Sequence, residues 1–212
     1  MTISAVDLAS LLCSRLCHDL LSPVGALNNG LELLADETDP AMRERCMELL
    51  NESARTSAAK LKFFRLAFGA AGGFGEAIDT REARTAIEGL FGEKKLAVEW
   101  LVEEERLPKS AVKALCIIAM IAGDALVRGG QLDVGAEVEG GAIEIVVRAT
   151  GPRLALDEEL RSTLLHGHAG DAVSPRGAPA YLVHALVAQA GGKVMVTDIE
   201  EGALFGATMR GE

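Results

Sequence analysis

Position 18 is a histidine on a stretch whose pattern is helical. Apolar or Cys positions recur at Cys13, Leu16, Leu20, Val24, Leu27, Leu31 and Leu34, always three or four apart. His18 lies two residues from both Leu16 and Leu20, which on a helix is about 200° away, so it faces opposite the apolar stripe. Its own face reads Ser14, His18, Ser22, Gly25 and Asn29. A partner can approach an imidazole framed by small and polar side chains, and a neutral imidazole is a nucleophile at neutral pH. Attack on phosphorus needs an in-line approach, hence an exposed ring on a rigid element. Asp19 can accept a hydrogen bond from one ring nitrogen, which fixes the tautomer and leaves the other nitrogen free. Ser22, one turn on, can donate to a phosphoryl oxygen, and Arg15, one turn back, offers positive charge. Ser14, Leu21 and Asn29 complete the surface expected to meet a partner. Pro23 removes the hydrogen bond to the Asp19 carbonyl and bends the helix just past the histidine, at a cost of about 3 kcal/mol in an ordinary helix interior. An ordinary solvated histidine is the plain reading of His18 alone. The polar face, the proline and the hairpin described next favour a phosphoacceptor.

Two long helices position this face. The first runs from about residue 4 to 35. A polar turn, Asp36 to Asp39, ends in Asp39-Pro40, an N-cap followed by proline at the first helical position. The second helix carries Met42, Cys46, Leu49, Ser53, Ser57, Leu61, Phe64 and Phe68. The pair makes an antiparallel hairpin, which cannot by itself cover two apolar stripes. A second copy closing a dimeric four-helix bundle is the simplest cover, and the chain's own C-terminal part is the alternative. Glycines from Gly69 to Gly75 suggest a flexible joint, which divides the chain into 1–72, for dimerisation and phosphotransfer, and 73–212.

The second part alternates. Helices are expected at 80–91, 109–128, 156–165 and 177–190, and strands at 97–102, 132–138, 142–149, 193–199 and 203–209. Glu139-Gly140-Gly141 signals a hairpin turn. The expected class is α+β: the hairpin plus an α/β sandwich whose sheet is covered on one side by helices.

Composition narrows the partners. The chain has 212 residues, 49% of them hydrophobic, and 21 basic against 31 acidic residues give a net charge of −10. An acidic chain without a Lys/Arg cluster argues against nucleic acid and anionic membrane as main partners. Residues 1–12 hold Asp7 and no basic leader, and no uncharged apolar run approaches ~18 residues, so a cytoplasmic protein is expected. Cys13, Cys17, Cys46 and Cys116 form no CxxC pair and read as free buried thiols. Cys13 and Cys17, one turn apart, can share a soft metal only with further ligands that the sequence does not supply.

The segment His18-Asp19-Leu20-Leu21-Ser22-Pro23 resembles the H-box of histidine kinases, in which an acid follows the histidine and proline stands at the fifth position after it. The longer run through Val24-Gly25-Ala26-Leu27-Asn28-Asn29-Gly30-Leu31-Glu32-Leu33-Leu34 is similar to the ChpT histidine phosphotransferases of alphaproteobacterial cell-cycle phosphorelays. The resemblance implies a homodimer phosphorylated on His18, and a C-terminal domain like the Bergerat-type ATP-binding domain of histidine kinases with its boxes eroded. Asp124-Ala125 falls where a kinase has Asn-Ala, whose Asn holds Mg²⁺. Ala149 stands where an Asp would bind adenine and has no acceptor to offer. Of the glycine-rich phosphate loop, counted back from Gly191-Gly192 onto residues 175–180, only Gly177 remains, and Pro179 lacks a needed N–H.

ATP binding is therefore not expected, and no cofactor or metal is expected on this chain; Mg²⁺ would come with the partner receiver. The resemblance implies as partners the receiver of a hybrid histidine kinase (CckA) and response regulators (CtrA, CpdR). His166 and His168 read as a surface loop without a third metal ligand, His184 as a satisfied core or edge residue, and the acidic runs Glu103-Glu104-Glu105 and Glu200-Glu201 as solvated turns. Two other functions stay open at this point: an active ATP-dependent kinase, and a dimeric scaffold for which His18 is dispensable.

Overall fold

A computed structural model describes residues 3–69, 77–92, 95–167 and 173–211. The expected glycine joint at 69–75 and His168 lie largely or wholly outside these residues.

Helix α1 spans Ala5–Asp36, continuous through Pro23, and begins on Ser4, whose hydroxyl accepts from the Asp7 N–H. Helix α2 spans Pro40–Ala67; the Asp39 side chain accepts from the N–H groups of Ala41 and Met42, so the Asp-Pro signal is the start of this helix. Arg43 donates to the Leu34 and Glu37 carbonyls and closes the turn. The helices approach closely where a side chain is absent: a Cβ on Gly30 would lie 2.9 Å from Leu50 Cδ2. Cys46, Leu50 and Ser57 fill the seam from α2.

A two-stranded ribbon of β1 (Ala77–Asp79) and β3 (Arg106–Pro108) and a five-stranded sheet follow. The sheet holds β2 (Leu96–Trp100), β4 (Gly130–Glu139), β5 (Ala142–Thr150), β6 (Lys193–Ile199) and β7 (Gly202–Arg210) in the order β2-β4-β5-β7-β6. Only the β2–β4 pair is parallel. The β4–β5 turn places both Gly140 and Gly141 at positive φ, 59° and 80°, as a tight twisted hairpin requires. Period-two burial puts Leu132, Val134, Ala136, Ile143, Ile145, Val147, Ala203, Phe205 and Ala207 in the core. Against them lies α4 (Lys109–Ala125), nearly all apolar and buried, flanked by α3 (Thr80–Phe91), α5 (Glu158–His166) and α6 (Ala178–Gln189). The α+β architecture is as expected.

Two expectations are corrected. Helix α4 ends at Ala125, not residue 128, because Leu126 leaves helical geometry (ψ 73°) to bridge Leu154. Cys13 and Cys17 are exposed, and only Cys46 and Cys116 are buried. Burial pushes the Cys116 thiol up to about 12, which leaves it inert. Part of the hairpin packs on the chain's own C-terminal part: Phe63, Phe64, Leu66 and Ala67 at the end of α2 belong to the same core as the sheet.

Candidate functional site

His18 sits in the middle of α1 with its side chain 86% exposed. The turn geometry sends its ring away from α2, toward solvent, as the period predicts. Its Nδ1 lies 3.3 Å from Asp19 Oδ1, and with a proton on Nδ1 that atom donates to the carboxylate, leaving the Nε2 lone pair open to solvent. Ser14, Leu21 and Ser22, within about one turn of it, are exposed, and so is Asn29 three turns further along α1. Arg15 is placed otherwise than expected. Its side chain is 18% exposed; Nε donates to Asp19 Oδ2 at 2.7 Å and Nη2 to Asp124 Oδ2 at 3.1 Å. The guanidinium faces inward, between α1 and α4.

Sequence reasoning missed Lys60. Pro23 deprives the Asp19 carbonyl of its helical donor, and Lys60 Nζ, from α2, donates to that oxygen at 2.9 Å. The carbonyl that proline frees beside the histidine is thus satisfied by the neighbouring helix, and Asp19 is held at both its carboxylate and its carbonyl. A Lys60→Met substitution is expected to lower stability by about 1–2 kcal/mol, since it strands a carbonyl. In a Pro23→Ala background the same substitution should cost little, because residue 23 again supplies an N–H; urea unfolding of the four variants checks the coupling.

The positions of the kinase boxes lie at the other end of Arg15. Asp124 is near the end of α4, Ala149 is buried in β5, and Pro179 is buried in the first turn of α6. Arg176 pairs with Asp157 at 3.1 Å. Arg15, Met120, Asp124, Ala125, Leu160, Arg176 and Pro179 enclose a cavity of only about 20 Å³. The first turns of α1 lie across α6: Leu8, Leu11 and Leu12 pack on Val173, Ala178 and Tyr181.

His166 ends α5 exposed, and His184 Nδ1 meets the Leu164 carbonyl at 3.0 Å, which makes it the satisfied edge residue expected. Among the described residues no group of three or more His, Cys, Asp or Glu could hold a metal ion, and no helix is long and apolar enough to cross a membrane.

The family described as "Histidine phosphotransferase C-terminal domain" matches residues 80–202. The protein phosphotransferase ChpT of Brucella abortus (strain 2308) is 37% identical over 211 residues, covering 98% of each chain. A bacterial phosphotransferase structure at 1.7 Å aligns with a TM-score of 0.87 and 36% identity, over 98% of both chains. The histidine kinase AdeS of Acinetobacter baumannii aligns with a TM-score of 0.48 at 14% identity, over 91% of this chain and 97% of its own. A match across both the helical hairpin and the C-terminal domain, at 37% identity to ChpT, places the chain in the histidine phosphotransferase family, as a member of the ChpT type.

Proposed function

We propose that this chain is a phosphorelay phosphotransferase that carries a phosphoryl group on His18 between receiver domains. The observation that carries this reading is the exposed His18 ring with Nδ1 turned to the Asp19 carboxylate and Nε2 open. The Nε2 lone pair attacks the phosphorus of an aspartyl phosphate on the donor receiver. The N–P bond forms as the P–O bond to that aspartate breaks, and its carboxylate leaves as an anion. The imidazole becomes a phosphoimidazolium whose Nδ1 proton stays on the Asp19 hydrogen bond. The reverse step delivers the group to an aspartate of the acceptor receiver. Ser22 offers a hydroxyl to a phosphoryl oxygen, and Ser14, Leu21 and Asn29 form the surface that the receiver meets. The receiver brings its own Mg²⁺ and acidic pocket, so this chain supplies position and nucleophile.

The ChpT relative supports receivers of a hybrid histidine kinase and of response regulators as donor and acceptor. A homodimer through the hairpin and a cytoplasmic location complete the proposal. Against the kinase reading stand the missing adenine acceptor at Ala149, Pro179 in the phosphate-loop position, and the Arg15–Asp124 pair beside a space of about 20 Å³, far below the ~300 Å³ of ordinary ligand pockets.

The test is transfer of radiolabel from a phosphorylated receiver domain to the purified chain, beside an ATP-only control. Label from the receiver and none from ATP is the expected result. Label from ATP alone makes the chain a kinase, and label from neither leaves a docking scaffold.

A further inference from the structure

Arg15 and Asp124 are 109 residues apart in sequence, yet they meet beside the phosphoacceptor. We propose that Asp124, acting through Arg15, is a positioning residue for the His18–Asp19 pair, so that the C-terminal domain aims the histidine of the N-terminal hairpin. This inference rests on the phosphotransferase reading of His18.

The Asp19 carboxylate divides its two oxygens. Oδ2 receives Arg15 Nε, and Oδ1 faces His18 Nδ1. Without the arginine the carboxylate on this helix flank turns freely, and Oδ1 has no fixed direction. Arg15 in turn is a long side chain with many rotamers, and one hydrogen bond does not hold it. Its second contact, to Asp124 Oδ2, does. Asp124 stands on α4, the most deeply buried helix, between Gly123 and Ala125, both in the interior. Rigidity therefore passes from the core through Asp124 and Arg15 to Asp19, while Lys60 fixes the backbone of Asp19 from α2. The charges alternate in sign along the chain of contacts. Asp124 offsets the Arg15 cation, so Asp19 keeps the negative potential needed to hold a proton on Nδ1 and to stabilise the phosphoimidazolium. A carboxylate where a kinase keeps its Mg²⁺-binding Asn is thereby given another task.

The test uses the full-length protein with ¹⁵N-labelled histidine, the His18 signals among the four histidines being assigned with a His18→Gln variant. Ring ¹⁵N shifts report the tautomer without any receiver. The wild type is expected to carry its proton mainly on Nδ1, and Arg15→Met and Asp124→Ala are expected to give mixed tautomers. Asp124→Asn, nearly isosteric and still able to accept from Nη2, is a second variant should Asp124→Ala fold poorly; it is expected to lie between Asp124→Ala and wild type. Transfer from a phosphorylated receiver at saturating concentration should fall about tenfold in each single variant. The half-saturating receiver concentration should stay unchanged, since the Arg15 guanidinium is turned to Asp19 and Asp124 and not to the exposed side of α1 that carries Ser14 and Leu21. The double variant should be no slower than Arg15→Met alone, because Asp124 acts through Arg15.

Wild-type tautomer ratios in both single variants overturn the proposal, and so do losses that multiply in the double variant. If the tautomers shift as expected but no receiver labels His18, the phosphotransferase reading falls and the positioning stands. If transfer is intact and the tautomers do not move, the positioning falls alone.

Discussion

A His18→Gln protein is expected to fold as the wild type does and to accept no phosphoryl group. The side chain is 86% exposed, and among the described residues its polar partner is Asp19 at 3.3 Å, so its replacement should change stability by less than about 0.5 kcal/mol. For a chain of this length that is a melting shift of less than about 2 °C. The chemistry has no substitute on the same face. Ser14 and Ser22 carry hydroxyls without a base aimed at them, and Asp19 is engaged by Arg15. Loss of label from a phosphorylated receiver by at least about a thousandfold is therefore expected, measured beside thermal unfolding of the same sample. Asp19→Asn should fall between: the amide can still contact the ring but cannot hold the imidazolium proton, so transfer should slow by about a hundredfold. A His18→Gln protein that still takes up label would move the acceptor to another residue and remove the mechanism.

The helix carrying His18 was legible because a spacing of three or four runs unbroken from Cys13 to Leu34, and a face defined by period alone needs no tertiary knowledge. Asp39-Pro40 and Gly140-Gly141 were legible for a different reason: each encodes a local backbone geometry that few other residue pairs favour. Strands β1 and β3 were not legible. Each has three residues, too few for a period of two to show, and each buries essentially one side chain, Ile78 or Leu107. The candidate site divides the same way. His18, Asp19, Ser22 and Pro23 lie within six residues on one helix, where spacing determines direction. Lys60 and Asp124 reach Asp19 and Arg15 from other elements, 41 and 109 residues away, and nothing in the local pattern around either announces that meeting. Pro23 came nearest to a signal, since it frees a carbonyl that some donor must satisfy. The sequence requires such a donor without naming it.

The proposed dimer gives the second large effect. On α1 the exposed Cys17, Val24 and Leu31 are spaced by seven, and on α2 so are Met47, Ala54 and Leu61. Several stand one residue after a buried residue of the α1–α2 hairpin: Val24 after Pro23, Leu31 after Gly30, Met47 after Cys46. That is a further 100° around each helix, and in an antiparallel pair this rotation brings both rows to the same side of the hairpin. Two rows with a repeat of seven, exposed side by side, are the surface that a left-handed helical bundle buries. Leu31 and Leu61 are 57% and 54% exposed, unusual for leucines lined up on one face. Glutamate at both positions puts four carboxylates into the bundle of two copies, and each buried unpaired charge costs several kcal/mol, so the dimer should weaken by more than about a thousandfold. Light scattering at micromolar concentration should then give the mass of one chain, against two for the wild type. The separated protomer should keep its fold, because Phe63, Phe64, Leu66 and Ala67 tie α2 to the core of its own C-terminal domain and Arg15–Asp124 ties α1 to α4. Unchanged circular dichroism with halved mass would separate the two roles of the hairpin, one face for the second copy and one for its own sheet domain. A wild-type protein that scatters as a single chain would remove the bundle and leave the two exposed rows to another partner.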